Sequence, residues 1–288
     1  MAAAGEAPPY ATIRYELDGP VATITLARPE VLNAVGGGMK AELLDALDHA
    51  DNDEAVRALI VTGEGRAFCS GADLSRGGDS FTETSADAAL RPDGSIDYDH
   101  PSLVEGSGDF VERIFGFSKP VIGAINGPCA GLGASLPLTM DIRLASETAS
   151  FNFVFARRGM LPECGSSWFL PRLVGIQTAL EWCYTGRKVS ADEALDARLV
   201  KAVYPADELM PAARAGAGDR DQRRARFGHA DPADVLARPW ARSSARRAQG
   251  RKLGRLSPLA QPGRARRRRL VLRKAPARFP DACPLRSA

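Results

Sequence analysis

Residues 119–175 read KPVIGAINGPCAGLGASLPLTMDIRLASETASFNFVFARRGMLPECGSSWFLPRLVG. The apolar run 121–126 predicts a buried strand, and the glycine-rich 127–133 predicts a turn. Small residues then predict a helix over 131–139, followed by strands at 142–145 and 151–154. The loop beyond carries one carboxylate, Glu163, in otherwise apolar company. A glycine turn that opens a helix offers backbone N–H groups to an anion. A lone acid in an apolar site is suited to shuttling a proton. Together they point to enolate chemistry.

Upstream, 13–17 and 21–26 flank Asp18-Gly19 and predict a β-hairpin, with Arg28-Pro29 ending its second strand. Apolar residues at 39, 43, 44, 47 and 50 have a helical period. A strand is expected at 58–62, followed by a glycine turn at 63–65. FCSGADL (68–74) leaves it as a tight turn. Residues 75–109, rich in Gly, Ser and Asp, predict a long loop, and 110–117 a helix. Downstream, short helices are expected at 170–175, 178–185 and 191–197, with a last strand at 199–203. Strands alternating with helices predict an α/β domain with substantial parallel pairing.

The chain has 288 residues, 44% of them hydrophobic, enough to bury a proper core. It has no run of 18 apolar residues, so no membrane span is expected. Its first residues, MAAAGEAPPYATIRYE, lack the basic-then-apolar order of a signal peptide. Cys69, Cys129, Cys164, Cys183 and Cys283 show no CxxC spacing. Free thiols in a reducing cytoplasm are expected, rather than disulfides or a metal site. The net charge of +3 conceals a break. Residues 1–213 hold 17 Lys and Arg against 30 Asp and Glu, a balance of −13, while 214–288 hold 21 against 5, a balance of +16. The chain therefore reads as a short N-terminal tail (1–11), a core (12–213) and an atypical Arg-rich region (214–288).

Several motifs resemble a known family. GRAFCSGADL (65–74) followed by INGPCAGLGASLPLTMDIRLAS (125–146) is similar to the crotonase, or enoyl-CoA hydratase/isomerase, superfamily. RPEVLNA (28–34), LPRLVG (170–175), YTGRKVSADEAL (184–195) and LVKAV (199–203) extend the resemblance over about residues 12–213. It implies a spiral of ββα units with a helical C-terminal part, assembled as homotrimers or hexamers. It also implies acyl-CoA thioester substrates, a place in fatty-acid metabolism and no resident cofactor, coenzyme A being part of the substrate. No nucleic-acid or membrane partner is expected.

Deprotonating the carbon next to a thioester pushes charge onto the carbonyl oxygen. By resemblance, the two backbone donors to that oxygen fall on Ala72 and Leu132, with Gly131 and Gly133 permitting the turn. Taken singly, GADL and GLG read equally well as plain turn glycines. Hydratases of this family carry two glutamates, at the positions of Ser135 and Phe155 here, so both acids are absent. Glu163 instead matches the single glutamate of the Δ3,Δ2-enoyl-CoA isomerases of the peroxisomal type. One carboxylate suffices to move a proton from C2 to C4, with Phe153, Phe155, Trp168 and Phe169 excluding water. The alternative for Glu163 is a surface acid paired with Arg157, Arg158 or Arg172. Hydration, or acyl-CoA binding without catalysis, are the alternative activities.

Arg28 and Arg66 are candidates to meet the phosphates of coenzyme A, with solvated surface charge as the alternative. Ala67, Asp73 and Leu74 border the turn expected to receive adenine and pantetheine. Cys69 reads as a small packing residue. The Arg-rich region departs from the family, with LRKAPARFPDA (272–282) again resembling its C-terminal segment. An out-of-frame translation over about 215–272 is one reading; a basic arm or weakly ordered packing are others.

Overall fold

The computed structural model describes residues 9–75, 91, 93 and 108–227, the side chains of 108, 109 and 219–227 excepted. All of them belong to the first of the two units into which the chain divides, Met1–Leu236 and Ala237–Ala288. Nearly all of the expected loop 75–109, and the tail beyond 227, lie outside the described residues.

Alternation builds the hairpin as expected. Strands β1 (Ile13–Asp18) and β2 (Val21–Leu26) run antiparallel, with Ile13 opposite Leu26 and Asp18 opposite Val21. From β2 onward every pairing in this sheet is parallel, through β3 (Ala58–Gly63), β4 (Val121–Ile125), β6 (Ile142–Ser146) and β9 (Ala202–Tyr204). The order is β1-β2-β3-β4-β6-β9. A second sheet of three short strands joins β5 (Pro128–Ala130), β7 (Ser150–Asn152) and β8 (Lys188–Ser190).

Parallel strands are buried on both faces, which explains the unbroken apolar runs of β3 and β4. Leu59, Val61, Val121 and Ile125 face the larger core, which includes Met39, Leu43 and Leu47 of α1 (Met39–Asn52). Ala58, Ile60, Ile122 and Ala124 face the opposite way. There they meet Leu209, Ala213 and Ala217, spaced at i, i+4 and i+8 on a 19-residue helix, Leu209–Phe227. Its residues carry no sustained amphipathic stripe, although the family resemblance implies a helical C-terminal part. The helix runs straight through residue 213, where the charge balance changes.

Helix α2 (Gly108–Phe115) packs on α1, and Arg113 ties them by ion pairs to Asp48 (2.6 Å) and Asp51 (2.8 Å). The expected helix 131–139 is divided: an α-helical turn, α3 (Leu132–Ser135), gives way to a 3-10 turn, Leu136–Thr139. Pro137 lacks an N–H and crowds the carbonyl four residues back, so the α-helical bonding stops there. Helices α4 (Ser166–Val174), α5 (Ile176–Thr185) and α6 (Ala191–Asp196) follow, and Leu209–Phe227 is α7. The last strand lies three residues later than expected at its start, because Leu199 and Val200 are buried in the turn before it.

Candidate active site

The site is built where two backbone turns meet. The first, residues 63–74, is held by two asparagines. The Asn33 side chain accepts from Arg28 N–H (2.9 Å) and donates to the carbonyls of Glu64 (2.9 Å) and Ala67 (2.8 Å). Asn33 is fully buried and left-handed at φ 57°, a conformation asparagine tolerates better than most residues. Asn126 donates to Gly65 O (3.0 Å) and Ala67 O (3.3 Å) and accepts from Gly63 N–H (3.0 Å). These asparagines, not singled out from sequence as site residues, satisfy carbonyls that would otherwise be stranded in a tight turn.

Beyond Ala67, itself buried, Cys69 forms an isolated parallel bridge with Cys129, and Ala130 N–H donates to Cys69 O (3.1 Å). The two turns are thereby docked backbone to backbone. Gly71 (φ 102°) completes the approach: a Cβ on it would lie 2.7 Å from Ala130 O and 3.7 Å from Leu132 N. Burial pushes the Cys69 thiol up to about 12, so it stays protonated at neutral pH and is no nucleophile.

On its other side, the segment is bracketed by Val35. Val35 N–H donates to Gly71 O (2.7 Å), and Asp73 N–H donates to Val35 O (3.0 Å). In such a parallel bridge Val35 makes both bonds, and the N–H of Ala72 between them points the opposite way. Leu132 N–H opens α3, where no intrahelical acceptor exists. Gly131 N–H is bonded to Asn152 O (2.9 Å), whereas Ala72 N–H and Leu132 N–H have no acceptor among the described residues. The structure thus brings two unsatisfied donors together across Gly71.

Ser135 is fully buried and turns its hydroxyl back to Gly131 O (3.3 Å). Phe155 is buried too, and its carbonyl accepts from the N–H groups of Arg158 (2.9 Å) and Met160 (3.0 Å). Neither position holds an acid. Glu163 lies just ahead of α4, which packs against the 3-10 turn continuing from α3. Its carbonyl accepts from Ser166 N–H (2.9 Å) and hydroxyl (2.6 Å), anchoring the loop. Its carboxyl is partly buried, and burial, the one cause acting on it, raises its pKa above the ordinary value.

Two of the three arginines that could have paired with Glu163 are occupied elsewhere, and Arg158 makes no ion pair with it. Arg157 Nε donates to Thr185 O (2.7 Å). Arg172 donates to Trp168 O (2.7 Å) and lies 3.3 Å over the Trp168 ring. Trp168 is exposed, with that cation capping its ring, and is not packed inward as a water-excluding wall. Phe153 is fully buried against Trp182, and Phe169 meets Phe115 edge-on at 5.1 Å.

Of the residues assigned to coenzyme A, Arg66 is exposed and has no ion pair among the described residues. Leu74 is partly exposed. Arg28 is turned inward, onto Asp73 (2.9 Å) and Ala34 O (2.8 Å). Glu193 accepts from Trp182 Nε1 (3.0 Å) and pairs with Arg187 (2.5 Å).

The parallel sheet, the small second sheet and the docked glycine turns define a protein of the crotonase superfamily. A family model described as Enoyl-CoA hydratase/isomerase matches residues 16–219. A protein of Rhodobacter capsulatus named probable enoyl-CoA hydratase is 38% identical over 197 residues, 68% of this chain and 70% of its own length. The 1,2-epoxyphenylacetyl-CoA isomerase of Escherichia coli is 34% identical over 194 residues, 67% of this chain and 70% of its own. Among solved structures, an enoyl-CoA hydratase of Mycobacterium tuberculosis superposes with a TM-score of 0.63 at 32% identity, covering 84% of this chain and 92% of that one. The chain belongs to the enoyl-CoA hydratase/isomerase family, a family of enzymes.

Proposed function

We propose that this chain is an enoyl-CoA isomerase with Glu163 as its proton shuttle. The observation that carries the reading is the Glu163 carboxyl: partly buried, raised in pKa by burial, and free of ion pairs among the described residues. A base whose pKa is raised toward the working pH accepts a proton more readily. The Glu163 carboxylate takes a proton from C2 of a 3-enoyl-CoA. The electrons pass to the thioester oxygen, where Ala72 and Leu132 N–H receive them. Each such donor is worth about 3 kcal/mol in a preorganised oxyanion site. The protonated Glu163 then delivers its proton to C4, and the double bond comes to rest between C2 and C3.

Ser135 and Phe155, buried and without acid groups, support isomerisation over hydration, because water addition calls for a second proton-handling group. Hydration is the second reading, favoured by the name of the Rhodobacter relative. Assays of the purified protein with 3-enoyl-CoA and 2-enoyl-CoA separate them. Faster hydration of the 2-enoyl substrate than isomerisation of the 3-enoyl substrate rejects the first reading. Assembly as a trimer or hexamer in a reducing cytoplasm belongs to the same proposal. Ile176, Leu180 and Tyr184 form an exposed stripe along α5, available to a second copy, and light scattering measures the outcome.

A further inference from the structure

Arg28 and Asp73 face one another 2.9 Å apart, with side chains only 17% and 15% exposed. They converge on one peptide segment. Asp73 directly follows Ala72, and its other carboxylate oxygen accepts from Ser75 N–H (3.0 Å). Arg28 also donates to Ala34 O (2.8 Å), and its own N–H is held by Asn33 (2.9 Å). Residues 33–36 therefore form a bracket along 71–73. Val35 supplies the two backbone bonds, and Gly36 lets Asp73 come so near that a Cβ there would lie 2.5 Å from the Asp73 Cβ.

We propose that Arg28 and Asp73 are a positioning pair that aims the Ala72 N–H at the thioester oxygen. The proposal rests on the reading of Ala72 as an oxyanion donor. The two Val35 bonds fix where residues 71 and 73 lie along the strand. They leave the segment able to rock about the line between them, which would swing the intervening N–H. The ion pair, anchored on the far side through Ala34 O, removes that freedom. Donor geometry of this kind has to hold within a fraction of an ångström, because the donor must meet charge that appears only as the reaction proceeds. Arg28 thus acts through Asp73 and does not meet the substrate's phosphates.

The test uses Arg28→Met, Asp73→Asn, the double variant that combines them, and Arg28→Lys in the full chain. Steady-state kinetics are measured with 3-enoyl-CoA, together with affinity for free coenzyme A. The carbonyl stretch of a bound saturated acyl-CoA, carbon-13 labelled at C1, is recorded by infrared difference spectroscopy. Arg28→Met and Asp73→Asn are each expected to lower kcat about 10- to 100-fold, the cost of a small misplacement, while KM and coenzyme A affinity hold. The double variant falls no further than either single one, since the two act as a unit. The carbonyl stretch, lowered on binding to the wild type, returns toward its value in water, and Arg28→Lys recovers part of both effects. Should Arg28→Met fail to fold, the near-isosteric Asp73→Asn carries the test.

Weakened coenzyme A affinity with unchanged kcat overturns the proposal in favour of phosphate binding. A lowered carbonyl stretch that persists in both variants, with kcat intact, overturns the positioning pair alone. No lowering in the wild type overturns the oxyanion reading and the proposal with it.

Discussion

Gly133 lies so close to Cys69 that a methyl group on its Cα would overlap the Cys69 carbonyl oxygen. That oxygen already accepts from Ala130 N–H, so it cannot withdraw without undoing the docking of the two turns. Gly133→Ala should therefore separate Ala72 from Leu132. Overpacking costs of about 1–3 kcal/mol are expected in denaturant unfolding. Activity should fall further than stability does, and an alanine variant of full activity would refute the docking argument.

Removing the carboxylate tests the shuttle directly. Glu163→Gln keeps the volume but cannot carry a proton, so kcat should fall about 10²- to 10⁴-fold with KM little changed. Acyl-CoA binding should persist, because the backbone donors remain. Retained isomerisation would move the acid to another residue.

The raised pKa of Glu163 gives a signed pH dependence. The native state holds this proton at pH values where the unfolded chain has released it, so the slope of unfolding free energy with pH is negative in that window. The window opens near the ordinary value of 4.5 and closes at the raised native pKa. Glu163 therefore destabilises the fold above the window and not below it. Glu163→Gln should remove this contribution, which paired unfolding curves across the acid range will show. In the wild type, kcat/KM should fall as pH drops through the raised pKa, since the shuttle must start as a base.

Asn33 offers a stability test away from the reacting atoms. Asn33→Ala strands the carbonyls of Glu64 and Ala67 and places alanine at φ 57°. Each buried group left unsatisfied costs about 1–3 kcal/mol, though Asn126 still reaches Ala67 O. A loss of about 2–4 kcal/mol is expected in chemical denaturation. Asn33→Gly should relieve the backbone strain but not the lost bonds, and so recover only part.

Much of the fold was legible because its signals are local. The hairpin is written in the alternation of 13–26, and the docked turns in glycines that admit no substitute. Strands β5 and β8 are not legible because each is three residues long and buries only its middle one, Cys129 or Val189. Helix α7 escaped because two of its sheet-facing residues, Ala213 and Ala217, are barely more apolar than their neighbours. Asn33 and Asn126 stood in quoted motifs, but nothing local tells which distant carbonyls an asparagine will meet.

From sequence alone came the two glycine turns and a lone carboxylate, Glu163, in an apolar loop, which follow from residue identity and backbone propensity acting over a few positions. That Ser135 and Phe155 stand where hydratases carry acids came from the resemblance to the family. Only the tertiary structure set Ala72 beside Leu132, turned Arg28 onto Asp73 and left the Glu163 carboxyl partly buried without a charge partner among the described residues. Whether a polar group is satisfied depends on which remote segments fill the space around it, and that is settled by packing, not by neighbours along the chain.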